Sequence, residues 1–224
     1  MVLKFFDDFD GQTLDLDKWT AADGKQGYGL ETFCAENVVL QDGILRLRCD
    51  GNFNTAEIST VGKFDFRYGW AECRARVPKG VGFWPAFWTL TSKVPQDTWQ
   101  EIDILEDVGL RPERTYFNAH WGPRPGTIEH YRSSYGRYDW DFSAGYHRYA
   151  VDWMPGRVDF YVDNFLASTL LTDQLFDRHH LLLSFSLSKA GSFGGSPDSL
   201  YPYPAWFEID YVGVWQDEKH RRKV

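Results

Sequence analysis

Trp99-Gln100-Glu101-Ile102-Asp103-Ile104-Leu105-Glu106 is the stretch on which the reading of this chain turns. Acidic and apolar residues alternate from Glu101 to Ile104. In a β-strand, Trp99, Glu101 and Asp103 would therefore share one face, while Ile102 and Ile104 point the other way into a core. Strict alternation would put Glu106 on the apolar side. One extra residue at Ile104-Leu105, a β-bulge, returns it to the face of Glu101 and re-aims its side chain. The strand then carries three carboxyls in line, with an indole just upstream. Three neighbouring acids repel one another, so their presence wants a reason.

Two readings compete on this octapeptide alone. One is a solvated strand face, which alternating acids usually make. The other is a carboxylate pair for glycoside chemistry: two carboxyl tips roughly 5–5.5 Å apart serve as nucleophile and as acid then base. A third carboxyl between them could hold a shared hydrogen bond and keep the acid protonated near neutral pH, because like charges raise a neighbour's pKa.

Composition narrows the choice. At 224 residues the chain is expected to form one domain, residues 1–224. Ten Trp, twelve Tyr and seventeen Phe make it 17% aromatic, more than a core needs. Surplus indoles commonly line sites for flat, partly apolar ligands such as sugar rings. The net charge of −8, with a basic run only at Lys219–Lys223, argues against nucleic acid as a partner. No apolar run approaches the ~18–20 residues of a membrane span, so no membrane partner is expected. No signal peptide is visible, since Asp7-Asp8 interrupt any apolar leader. Cys34, Cys49 and Cys73 fit no zinc spacing, and Cys73 reads as a buried thiol.

Most segments read as short strands between turn signals, at sandwich spacing. The strands are Lys4–Phe6, Asn37–Leu40, Ile44–Arg48, Glu57–Thr60, Lys63–Phe66, Gly69–Val77, Phe83–Leu90, Thr115–Trp121, His147–Trp153, Arg157–Val162, Ala167–Leu170, His180–Leu187 and Trp206–Trp215. Asp42-Gly43 marks a hairpin, Gly122–Gly126 a turn, and Lys189–Pro204 a long loop. Thr172–Phe176 could hold one helical turn. In Phe83–Leu90, Trp84, Ala86 and Trp88 share a face, a shelf for pyranose rings; Pro85 within that strand asks for an edge or an irregularity.

Gly82-Phe83-Trp84-Pro85-Ala86-Phe87-Trp88, a short loop, then Glu101-Ile102-Asp103-Ile104-Leu105-Glu106 resembles glycoside hydrolase family 16, in its laminarinase-like branch. Phe6–Gly11, Ile58–Gly69, Tyr146–Trp153 and Ile209–Gln216 resemble further signatures, so the likeness spans almost the whole chain. The resemblance implies an all-β, concanavalin-like jelly-roll of two curved antiparallel sheets, with a polysaccharide cleft across the concave one. It implies retaining cleavage of internal β-linkages, most simply β-1,3-glucan, with agar, carrageenan, mixed-linkage glucan, transglycosylation or binding without cleavage as alternatives. Glu101 would be the nucleophile, Glu106 the acid/base and Asp103 their tuner. Trp84, Trp88 and Trp99 would stack sugars, Asn118 and His120 would bond near the scissile link, and Glu57 and Asn37 are further cleft candidates. No catalytic cofactor is implied. The resemblance also points to a structural calcium on Asp8, the Gly43 carbonyl and Asp210, since a hard cation takes such oxygens. A secreted or extracellular monomer acting on polysaccharide is the resulting expectation. Gln100, Trp70 and Ser188–Gly195 depart from the family pattern, and the last of these stretches usually walls the cleft.

Overall fold

The computed structural model describes residues 1–92, 99–123, 130–192, 194–197 and 201–217. In chain order the strands are β1 (Val2–Asp7), β2 (Thr20–Ala21), β3 (Lys25–Gln26), β4 (Thr32–Phe33), β5 (Val38–Gln41), β6 (Ile44–Cys49), β7 (Asn54–Thr55), β8 (Glu57–Ser59) and β9 (Gly69–Arg76). They continue as β10 (Phe83–Thr91), β11 (Trp99–Glu106), β12 (Arg114–Gly122), β13 (His130–Arg137), β14 (His147–Met154), β15 (Arg157–Val162), β16 (Phe165–Leu171), β17 (His179–Leu187) and β18 (Ala205–Gln216).

They form two large antiparallel sheets. One has the order β13-β12-β11-β10-β17-β8-β2, the other β16-β15-β14-β9-β18-β6-β5 with β1 also on β18; β3, β4 and β7 make a small third sheet. Period-2 patterning explains the layers. On β17, Leu181, Leu183, Phe185 and Leu187 enter the shared core, and so do Ile102 and Ile104 of β11 and Leu45 and Leu47 of β6. Residues of the opposite parity form the outer faces. That of the seven-stranded sheet, with Trp84, Glu101 and Asn118, is the cleft face.

The turns follow their residues. Asp42 and Gly43 both have positive φ, as do Asp163 and Asn164, so two-residue primed turns join β5 to β6 and β15 to β16. Lys63–Phe66 is not a strand: the amides of Lys63 and Phe64 both bond the Thr60 carbonyl, and only Phe66 bridges, to His179. Thr172–Phe176 is not helical. Pro85 sits in a central strand rather than at an edge. Phe185, its partner on β17, sends its own amide away to Ala56, so the Pro85 backbone faces β11. Pairing with β11 ends there at Ala86↔Glu106, so the missing amide breaks no ladder bond, and the Pro85 carbonyl accepts the Asp107 amide at 3.1 Å. All three cysteines are free, and Cys49 and Cys73 are buried. Of the expected Gly122–Gly126 turn, residues 124–126 lie outside the described residues, as do Lys219–Lys223 and parts of the Lys189–Pro204 loop.

Candidate active site

The bulge lies where the alternation demanded it. On β10, Phe87 faces Leu105 and Trp88 faces Asp103, which leaves Ile104 as the extra residue. The opposite neighbour agrees: Asp103 faces Asn118 and Glu106 faces Tyr116 on β12. Ile104 and Leu105 both enter the core, and Glu106 rejoins the face of Glu101 and Asp103. Those three carboxyls line one cavity of about 140 Å³ together with Tyr28, Trp84, Ala86, Trp88, Ser184 and Ser186.

Each acid is held differently. Glu106 accepts the Trp84 indole N–H on Oε1 at 2.8 Å and the Asn118 amide on Oε2. Burial raises its pKa, while Trp84, His120 and Asn118 pull it back. Asp103, 5% exposed, lies 3.2 Å from His120 Nε2, and its pKa is pushed well up by burial and then by Glu106. Glu101 is 3.7 Å from the same nitrogen. Burial and the adjacent Asp103 carry its pKa well above the usual carboxylate range, and His120 opposes them. Glu101 donates a hydrogen bond to Asp103, which raises the first and lowers the second. The cluster therefore holds its protons to higher pH than isolated carboxylates do, because burial and neighbouring like charges both disfavour the ionised forms. Atoms of Glu101, Asp103 and His120 also lie within 4.8 Å of one another, a spacing a cation could use.

The aromatic candidates divide. Trp84 and Trp88 line the cavity. Trp88 packs on Ala86 and Leu182 and donates to Ser184 Oγ at 3.1 Å, so it serves as floor more than shelf. Trp99 stacks on His120, with ring centroids 6.2 Å apart and planes 10° apart, upstream of the cavity. Glu57 is buried beside the cavity and accepts the Tyr28 hydroxyl at 2.6 Å and Lys25 Nζ at 3.0 Å. Asn37 is not brought to the site: it is fully buried, donates to the Thr55 carbonyl and accepts from Arg48 Nε at 2.7 Å, a link between strands.

The positions implied for calcium lie on other elements. Asp8 is exposed after β1, Gly43 is in the β5–β6 turn, and Asp210 accepts Arg74 Nη1 at 2.5 Å. Arg74 already supplies the positive charge that Asp210 needs. One other carboxylate and a peptide oxygen fall short of the 6–8 oxygens calcium takes.

Sequence reading missed Tyr28, Ser184 and Ser186. The serines were legible: Leu183-Ser184-Phe185-Ser186-Leu187 alternates strictly and puts two small hydroxyls on the cleft face. Tyr28 offered only its flanking glycines.

The family model for glycosyl hydrolases family 16 matches residues 29–196. The chain belongs to that family. A glucan endo-1,3-beta-glucosidase of Cryptopygus antarcticus is 28% identical over 96% of this family-16 chain and 92% of its own length. The glucan endo-1,3-beta-glucosidase A1 of Niallia circulans is 29% identical over 97% of the chain, which spans only 38% of that relative. The laminarinase catalytic domain of Thermotoga maritima MSB8 superposes with a TM-score of 0.86 at 27% identity, covering 96% of this chain and 98% of that domain. The jelly-roll that the resemblance implied is thus the fold of this chain, shared with that laminarinase domain.

Proposed function

We propose that this family-16 domain is a retaining endo-β-1,3-glucanase acting on laminarin-type glucan. The single observation that carries the mechanism is the bulge at Ile104, which sets Glu101 and Glu106 against one cavity with Asp103 between them. Both Glu106 oxygens already accept a hydrogen bond. Its proton then takes a remaining lone pair on a side chain that lines the cavity, where a glycosidic oxygen can receive it. Glu101 attacks the anomeric carbon as the leaving oxygen is protonated; water then enters against Glu106 acting as base, and the glycosyl ester breaks. The Glu101–Asp103 hydrogen bond supplies the remaining control. With its proton on Asp103, Glu101 is ionised and competent to attack.

β-1,3-Glucan is favoured by the relatives named for it and by the acidity of the cavity. A sulfated galactan would call for cationic contacts. Arg67 instead packs over Tyr68, and Arg124 lies outside the described residues. The same reading gives the protein no organic cofactor and takes it to act outside the cell as a monomer. Among the described residues no helix is long and apolar enough to cross a membrane.

A reducing-sugar assay on laminarin with product sizing, run beside Glu101→Gln and Glu106→Gln, tests the proposal. Internal cleavage by the wild type and its loss in both variants is the expected result. Full activity in either variant would exclude that glutamate as nucleophile or acid/base.

A further inference from the structure

Tyr28 is nearly half exposed, yet it is held as firmly as a core residue. The loop that carries it, Gly27-Tyr28-Gly29-Leu30-Glu31, is stapled to the end of β17 by a buried acid. Glu31 is fully buried, and its Oε1 accepts the amides of Tyr28 at 2.8 Å and Gly29 at 3.3 Å. Its Oε2 accepts the Leu187 amide at 2.8 Å, and the Leu30 amide answers by donating to the Leu187 carbonyl at 2.9 Å. The fit leaves no room for side chains: a Cβ on Gly29 would lie 1.7 Å from the Leu187 oxygen, and one on Gly27 would lie 2.0 Å from Glu31 Oε1. A buried carboxylate spent wholly on backbone amides, two of the loop and one of β17, is costly unless the loop must be rigid.

What the staple positions is a wall of the cavity. The Tyr28 ring meets Trp88 edge-on, 5.6 Å between centroids at 80°, and its hydroxyl donates to Glu57 Oε2 at 2.6 Å. Lys25, itself half exposed, neutralises the other Glu57 oxygen at 3.0 Å. With its proton committed to Glu57, the Tyr28 oxygen keeps lone pairs for a donor arriving from the cavity. No lysine or arginine lines this cavity among the described residues, and Lys25 is committed to Glu57, so an arriving sulfate or uronate finds no counter-ion, whereas an uncharged sugar hydroxyl needs none.

We propose that Tyr28 and Glu57, backed by Lys25, form a hydroxyl-recognising wall that selects neutral β-glucan units over sulfated or uronic ones, with Glu31 as the residue that positions it. The proposal deepens the glucanase reading and rests on it for the identity of the sugar.

The test measures laminarin kinetics and calorimetric binding of a β-1,3-gluco-oligosaccharide for the whole chain and for Tyr28→Phe, Glu57→Gln and Glu31→Gln. Tyr28→Phe keeps the ring against Trp88 and is expected to raise KM and Kd about tenfold, the worth of one well-placed hydrogen bond. Its kcat should fall less than about threefold, and its melting temperature should hold. Glu31→Gln should give the same KM shift with a lower melting temperature. Glu57→Gln should narrow the preference for laminarin over a sulfated galactan in competition binding. Unchanged KM and Kd in Tyr28→Phe would overturn the wall while leaving the glucanase reading intact, and so would an unchanged preference in Glu57→Gln. A wild type that binds the oligosaccharide without cleaving it, more weakly in Tyr28→Phe, would uphold the wall and overturn the glucanase reading.

Discussion

The two outer faces of the sandwich treat their acids in opposite ways. On the eight-stranded sheet, Glu208 accepts Arg46 Nε at 3.0 Å, Arg76 Nε at 2.6 Å and the Tyr146 hydroxyl at 3.2 Å. Asp210 is paired with Arg74, and Glu72 accepts the hydroxyl of Tyr211 and the indole of Trp70. On the seven-stranded sheet, Glu101, Asp103 and Glu106 have one another, a histidine and neutral donors. Matched charges hold strands together at modest cost. Unmatched ones in a dry cavity raise each other's pKa and oppose folding. The first set stabilises the sheet, and the second is kept at the sheet's expense for what it does to a glycosidic bond.

Breaking the second set should therefore remove activity and leave stability alone. Glu101→Gln and Glu106→Gln are each expected to lower kcat on β-1,3-glucan by about 10²–10⁴-fold. Their melting temperatures should stay level or rise as repulsion is relieved. Steady-state kinetics beside thermal melts reads both effects, and a large fall in melting temperature would mean that these acids hold the fold.

Asp107 extends the comparison into the core. It directly follows Glu106, is almost fully buried, and has a pKa of about 8, raised by burial, moderated by Thr115 and raised again by Glu106. Its unfolded value is about 3.9. Between those values the native state binds the extra proton, so stability falls as pH rises through that window and levels off above it. Asp107→Asn removes this dependence. The gain should be on the order of a few kcal/mol at pH 8 and about 1 kcal/mol at pH 4.5. Urea unfolding at the two pH values checks it, and an equal gain at both would refute the raised pKa.

The bulged strand and the tryptophan strand were legible because both are local: period 2 and one misplaced glutamate determine which side chains share a face. The turns at Asp42-Gly43 and Asp163-Asn164 were legible for the same reason. What was not legible depends on partners far along the chain. Glu31 acts through Leu187, and Glu57 through Lys25 and Tyr28, and no local pattern announces such pairs. Asn37 was a cleft candidate only through the family resemblance, and Thr55 and Arg48 consume its amide inside the fold. Lys63–Phe66 has a strand's composition, and the Thr60 carbonyl bends it into a turn instead. β13 was overlooked because the sequence His130–Arg137 is polar at both parities, without the alternation that marks a half-buried strand.

On the matched face the expected effects are smaller and fall on stability alone. Glu208→Gln leaves two guanidinium groups without their carboxylate and should cost about 2 kcal/mol in urea unfolding. The kcat per folded molecule should not change. A loss of activity without a loss of stability would mean that this face reaches the cleft.

The smallest effect expected is also the most specific to the site. Trp84 donates to Glu106 Oε1 at 2.8 Å, and a hydrogen bond to a carboxylate favours its charged form, holding the pKa down. Trp84→Phe removes the donor and keeps most of the ring. Glu106 should then hold its proton to higher pH, moving the alkaline limb of the kcat/KM profile up by less than about one unit. The acid limb, which follows the ionisation of Glu101 beside Asp103, should stay in place because the one indole N–H of Trp84 is donated to Glu106. Movement of the acid limb instead would reverse the assignment of acid and nucleophile, since the group that Trp84 touches would then be the one that must be ionised to react.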